Sequence, residues 1–370
     1  MEALCRFLAD RERGEEAVSC YAVFISRLYE EAGGDLGAYI LDRTLRDENP
    51  YIRAVGRGET PPSCMVRCAA EELRTLEMAA ELTPEDLLEG LPGRAFLPGF
   101  TASPVALADG YRRRAEQIGR YGWGEYAGHA MFCLEQSRIT PVRHPDGVRL
   151  EDLVGFRREK ELLLENTRAL LAGRPAANVL LTGDAGTGKS STVKAVVNKL
   201  WTEGLRIVEL RREQLRSLPA VLDELSDNPL KFILFIDDLT FRQGDEGYGA
   251  LKAALEGSVS ARSRNVAIYA TSNRRHIVRE TFSEREGDDV HRGETMQELV
   301  SLSERFGLHI TFQRPDRGTY LEIVRRLASD RGIECLELEA LAEQFALTRG
   351  ARSPRAARQF VDSLACKKER

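Results

Sequence analysis

The sequence predicts an α/β protein: a parallel sheet with helices on both faces, preceded by a mainly helical region and followed by a helical end. Three observations carry this expectation. From residue 178 onward, short apolar runs alternate with amphipathic stretches, the pattern that builds a parallel sheet. One of those runs, Phe232 to Ile236, is apolar at every position, as in a strand covered on both faces. Before residue 135, by contrast, apolar residues recur at helical spacing.

Taken in order, "EEAVSCYAVFISRLYEE" at 15–31 sets Val18, Ala22, Ile25 and Leu28 on one face and reads as a helix. Cys64 to Leu82 reads as a second. Thr83-Pro84-Glu85-Asp86 supplies a cap, a proline for the first helical position and first-turn acids, announcing a third. "ITPVRHPDGVRLEDLVGF" reads as a connection. Five strands are then expected: Asn178 to Thr182, Leu205 to Leu210, Lys231 to Ile236, Asn265 to Ala270 and Leu308 to Phe312. The remainder turns helical again. The expected domains are an N-terminal helical domain at 1–140, an α/β domain at 141–312 and a C-terminal helical domain at 313–370.

With 370 residues, 42% of them hydrophobic, the chain can bury a sizeable core. Its 53 basic and 58 acidic residues give a net charge of −5, which offers no global pull toward nucleic acid. The basic stretches "TSNRRHIVRE" and "CKKER" are short enough to be solvated faces, so nucleic acid is a weakly supported partner. No run reaches the roughly 18 apolar residues of a membrane span, and the first residues lack a signal-peptide core, so a cytoplasmic location and no membrane partner are expected. The seven cysteines suit reduced thiols. Cys64 with Cys68, and His129 with Cys133, read as helical pairs four apart and not as zinc ligands.

The chemistry-bearing segment is "NVLLTGDAGTGKSSTVKAVVNKL", where Gly183 to Ser190 fits G-x-x-x-x-G-K-[ST] between a strand and a helix. Glycines allow the backbone to wrap a phosphate, the helix N-terminus attracts the anion, Lys189 reaches the β and γ phosphates and Ser190 offers a hydroxyl to Mg²⁺. Two carboxylates, Asp237 and Asp238, close the apolar strand "KFILFIDDLTF". In a phosphate-loop fold Asp237 is the expected Mg²⁺ partner and Asp238 the residue that orients or deprotonates the attacking water. A helix cap is the alternative reading of Asp238. Asn273, at the end of "NVAIYATSN", falls where a polar side chain can hold that water, or where a loop simply begins.

"LVGF", "GDAGTGKSS", "FILFIDDL", "YATSN", "SERFG" and "GARSPRAARQF" resemble the successive box II, Walker A, Walker B, sensor 1, arginine-finger and sensor 2 segments of an AAA+ ATPase, over residues 150 to 365. Their wording is similar to that of a bacterial AAA+ family known only as a domain of unknown function. The resemblance implies a five-stranded sheet with a helical lid, ATP and Mg²⁺ between them, and homo-oligomers in a ring or spiral. It implies that Arg305 completes a neighbour's site and that Arg355 is the lid's sensor, with Arg358 as the competing candidate. The implied nucleotide-binding set is Val154, Gly155 and the loop residues Gly183, Asp184, Ala185, Gly186, Thr187, Gly188, Lys189, Ser190 and Ser191.

Two departures from the family pattern shape the functional expectation. Many AAA+ ATPases have Glu where this chain has Asp238, so slow hydrolysis is expected. "RREQLRSLPAVLDELSDN" carries no aromatic-hydrophobic-glycine loop of the kind that threads polypeptide. The expectation is an oligomeric ATPase that remodels or positions a macromolecule of unidentified class. A small-molecule P-loop kinase and a slow-turnover, ATP-dependent binding switch are the alternatives.

Overall fold

The computed structural model describes residues 2–9, 15–89, 96–240, 246–256, 264–273, 302–350 and 352–368. The chain divides into two compact units, Met1–Gly128 and His129–Arg370.

The first unit is helical in its described residues. Helix Glu15–Ala32 buries Ala17, Tyr21, Phe24, Ile25 and Leu28, the stripe that a 3.6-residue period requires. Phe7, Leu36 and Phe100 pack on the same stripe, and the Tyr21 hydroxyl, taken out of water, donates to the Pro98 carbonyl at 2.7 Å. Asp35 starts helix Leu36–Arg46 by accepting from the Ala38 amide at 3.1 Å and from the Ser103 hydroxyl at 2.6 Å. That hydroxyl bond, with the backbone amides beside it, holds the Asp35 carboxyl below its usual range. Helix Ser63–Ala80 carries Cys64 and Cys68, both exposed. At Pro84–Leu88 the capping box forms as the sequence implies, Thr83 and Asp86 serving each other's backbone.

The second unit is built on one sheet. Its strands are β1 (Met131–Glu135), β2 (Arg138–Pro141), β3 (Val179–Gly183), β4 (Leu205–Leu210), β5 (Lys231–Ile236), β6 (Val266–Ser272) and β7 (Leu308–Phe312). They lie in the order β2-β1-β4-β5-β6-β3-β7. All neighbours are parallel except the hairpin β1–β2. The last five strands are those expected from the sequence, each within a residue or two.

Among the described residues seven strands replace the five expected, and the hairpin is the difference. Residues 131–141 form strands where the sequence reading placed helical residues and a connection, and Cys133 sits on β1, not on a helix with His129. The hairpin is short, and its turn residues Gln136 and Ser137 take positive φ (47° and 63°) without the glycine that usually marks such a turn. What holds β1 is parallel pairing with β4, 76 residues away at Met131 and Ile207, which no local pattern records.

Strands β3 and β5 are buried on both faces, and β6 nearly so. Helices Arg157–Leu171 and Lys189–Leu200 pack Leu163, Leu170, Val193 and Val196 into the core made with β3, β4 and β5. One polar group is embedded there: the Tyr269 hydroxyl sits 3.0 Å from Asn166 Nδ2 and 2.9 Å from Thr167 Oγ1, and burial pushes its pKa up to about 12. Helices Arg317–Asp330, Leu338–Arg349 and Pro354–Lys368 close on their own core of Tyr320, Val324, Ala342, Ala357, Phe360 and Val361. Val154, from the segment before the sheet's first long helix, packs against that core.

Candidate functional site

The site forms where β3, β5 and β6 end at the same edge of the sheet, the edge at which open parallel sheets bind ligands. Strand β3 ends at Gly183 with φ +140°, and a Cβ there would stand 2.1 Å from the Phe312 carbonyl oxygen of β7. Gly186 (φ +80°) turns the loop back under the last helix: its Cβ would meet Arg355 Cβ at 3.0 Å. Helix Lys189–Leu200 then starts at Gly188, which has no side chain with which to cap it. An anion is the natural partner for such a helix start.

Lys189 is buried and points back into the loop. Its amine donates to the carbonyls of Gly183 (2.7 Å) and Asp184 (2.9 Å) and to Asn273 Oδ1 (3.0 Å). Burial pushes its pKa down, Asp237, Asp184 and Asp238 push it up, and Arg355 adds to the lowering; the net direction is down. A lysine held this way keeps its donors together at the place where phosphate charge would enter.

The two carboxylates hold different partners. Asp237 accepts from Ser190 Oγ and from Thr271 Oγ1, both at 2.6 Å. Asp238 takes φ +53°, a left-handed conformation uncommon for a non-glycine residue. Its amide donates to Thr271 Oγ1 at 2.9 Å and its carboxylate accepts from Asn273 Nδ2 at 2.6 Å. Among the described residues the next helix is Glu246–Glu256. The Asp238 side chain is therefore turned to Asn273, and Asn273 bridges Asp238 to Lys189.

The remaining expected residues lie as follows. Val154 and Gly155 line a cleft with Phe156, Gly188, Ile323 and Arg358. Arg355 is at the loop: its amide donates to the Gly186 carbonyl at 3.4 Å, and Ser353 Oγ caps its helix through the Ala356 amide at 3.1 Å. The two arginines thus occupy different places, Arg355 by the loop and Arg358 in the cleft. Ala185 and Ser191 belong to the loop and the first turn after it. Arg305 makes its ion pair away from this cluster, with Glu256 at 2.6 Å. Of "TSNRRHIVRE", residues 274–280 lie outside the described residues, as do the last two residues of "CKKER".

Three participants were not singled out from the sequence. Thr271 had a signal, since it stands near the end of β6, two residues before Asn273. Arg314, whose Nε donates to Asp184 Oδ2 at 2.7 Å, had none. Lys160 had none either: it lines the cleft, donates to the Leu153 carbonyl at 2.6 Å, and burial lowers its pKa.

The loop's close backbone turns, the uncapped helix start and the lysine fit a phosphate chain. The neighbouring hydroxyl and carboxylate of Ser190 and Asp237 are hard oxygen donors of the kind Mg²⁺ takes. A strand-loop-helix turn of this sequence on a mainly parallel sheet, with a helical cluster after the last strand, is the arrangement of a phosphate-loop fold.

The chain belongs to the family described as "Protein of unknown function (DUF815)", whose model matches residues 127–368. No curated protein matches it. Among solved structures it is similar to RuvB of Thermotoga maritima, the Holliday junction branch migration motor, at 18% identity and a TM-score of 0.38, over 58% of this chain and 63% of that one. It is also similar to a chain in the HORMA:CdnC:Trip13 complex of E. coli MS115-1, at 16% identity and a TM-score of 0.39, over 60% of this chain and 93% of that one. The chain thus spans less than two thirds of the RuvB chains it matches. No helix among the described residues is long and apolar enough to cross a membrane.

Proposed function

We propose that this protein binds ATP with Mg²⁺ at the Gly183–Ser191 loop and hydrolyses it slowly, as an oligomer whose ATP cycle remodels or positions a macromolecular client in the cytoplasm. The observation that carries this reading is the connected set Lys189, Asn273, Asp238, Thr271, Asp237 and Ser190 at the sheet edge.

In this reading the loop amides and Lys189 hold the phosphates and neutralise charge as the terminal phosphoryl group departs. Ser190 and Asp237 would hold Mg²⁺, which when bound neutralises phosphate oxygens. Asn273 positions a water, and Asp238 accepts its proton as the oxygen attacks. Val154 and Gly155 receive the adenine. Arg355 approaches the phosphates from the last helix, and Arg305 acts on the site of a neighbouring protomer. Residues 313–370 serve as the lid.

A switch that turns over little is the second reading. It is favoured by Asp238 itself, which is one methylene shorter than Glu and tied to Asn273 in a left-handed backbone. Hydrolysis per protomer, measured with Mg²⁺ across a wide range of protein concentration and alongside sizing, separates the two. A specific rate that climbs with concentration supports the oligomeric ATPase. A flat rate from a monomer overturns it, and tight ATP binding with almost no turnover at any concentration selects the switch.

A further inference from the structure

Asp184 places a carboxylate inside a loop whose proposed task is to hold a polyanion. It is the second loop residue, and its backbone is part of the frame: its carbonyl accepts from Lys189 at 2.9 Å and from Thr187 Oγ1 at 2.9 Å. Its charge is felt at the lysine, where it acts against the effect of burial. Unopposed, that charge would repel each phosphate the loop takes in.

Arg314 opposes it. Gly183 and Phe312 are register partners across β3 and β7, so the exit of β7 runs beside the start of the loop. Two residues past Phe312, Arg314 turns its guanidinium onto Asp184, Nε to Oδ2 at 2.7 Å. Both side chains are more than half exposed, 57% and 51%. A pair so exposed adds little to folding stability. Its consequence falls on the incoming ligand, which meets a neutral pair in place of a carboxylate.

We infer that Arg314 is a positioning residue of the nucleotide site that masks the Asp184 carboxylate and so admits a di- or triphosphate to the loop; this rests on the nucleotide-binding reading above. A masking role differs from a structural brace in a sign. If the pair only braces the loop, losing either partner does the same damage. If Arg314 masks Asp184, losing the arginine harms binding, losing the carboxylate does not, and losing both restores binding.

The test is the affinity of the full chain for Mg-ADP, read by calorimetry, for wild type, Arg314→Ala, Arg314→Lys, Asp184→Asn, the double variant Arg314→Ala/Asp184→Asn, and Lys189→Ala. Arg314→Ala is expected to bind about tenfold more weakly near physiological salt, and the deficit to shrink at about 0.5 M salt as charges are screened. Arg314→Lys keeps the charge and Asp184→Asn removes the need for it, so both, and the double variant, are expected within about threefold of wild type. Nucleotide-free melting within about 2 °C of wild type confirms that each variant folds.

Equal losses in Arg314→Ala, Asp184→Asn and the double variant would overturn the inference in favour of a brace. A double variant as weak as Arg314→Ala, with Asp184→Asn unharmed, would overturn it in favour of direct phosphate contact by Arg314. An unaffected Arg314→Ala, in a protein whose wild type binds and whose Lys189→Ala variant does not, overturns masking and leaves the nucleotide reading standing. Wild type that binds no Mg-ADP, or Lys189→Ala that binds as well as wild type, removes both.

Discussion

Asn273 reaches Asp238 and Lys189 with opposite ends of one amide, donating to the carboxylate at 2.6 Å and accepting from the amine at 3.0 Å. A side chain with a donor and an acceptor is needed to do this, and Asn in this place has one of each. Asn273→Ala is expected to lower kcat about 10- to 100-fold, because it leaves water and acid unaligned. ADP affinity should stay nearly unchanged. Asn273→Asp should be worse, since it sets two carboxylates side by side beneath a phosphate. Steady-state hydrolysis with ADP titration separates the two effects.

Ser190 and Thr271 converge on one oxygen of Asp237. Asp237→Asn keeps the shape and removes the carboxylate charge available to a cation. It is expected to weaken Mg-ADP about tenfold while leaving ADP in EDTA untouched. Calorimetry in the two buffers checks this. Equal losses in both would assign Asp237 to the loop's shape and not to the metal.

Arg305 is paired with Glu256 within its own chain. If it completes a neighbour's site, Arg305→Ala should lose hydrolysis by about 10³-fold, the range of an arginine finger, and still bind ADP. Lys189→Ala should be inactive for a different reason. Mixing the two inactive proteins should then regain activity, because each supplies what the other lacks. Mixtures that stay silent, with oligomers confirmed by sizing, would place Arg305 outside the reaction.

Gly183→Ala puts a Cβ 2.1 Å from the Phe312 carbonyl at a φ of +140°. Either the β3–β7 pairing or the loop must move. A loss of about 2–4 kcal/mol in unfolding free energy is expected, from the backbone strain and the forced contact together. Denaturant titration of the nucleotide-free protein measures it.

Asp35 holds the first unit's Leu36–Arg46 helix start, and its pKa lies below the ordinary 3.8, chiefly through the Ser103 hydroxyl. A carboxyl depressed by folding contributes stability that is full above the unfolded pKa and is lost as pH falls through the folded one. Asp35→Ala should therefore cost about 1 kcal/mol at pH 7. The gap from wild type should narrow as the pH drops below 3.8. Denaturant midpoints at pH 7 and in that acid range read the difference.

Much of the fold was readable because its signals are local. The five long strands, the Thr83 capping box and the Gly183–Ser190 loop each announce themselves within a dozen residues, through side-chain period, cap chemistry or glycine spacing. The identities of Lys189, Ser190, Asp237, Asp238 and Asn273 followed from where those local elements end. The hairpin β1–β2 escaped, because its strands are short and its stabilising partner β4 is distant in sequence.

The sequence by itself determined the class of sheet, the phosphate loop and which acids and amide stand at the strand ends, since these depend on neighbouring residues only. Tertiary structure alone decided which of them meet. It set Asn273 on Lys189 across 84 residues, Arg314 on Asp184 across 130, and Arg355 beneath Gly186 while Arg358 went to the cleft. Those contacts depend on the order in which parallel strands lie beside one another and on how the last helix packs against the loop. Burial of whole surfaces sets both, and no single stretch of chain encodes them.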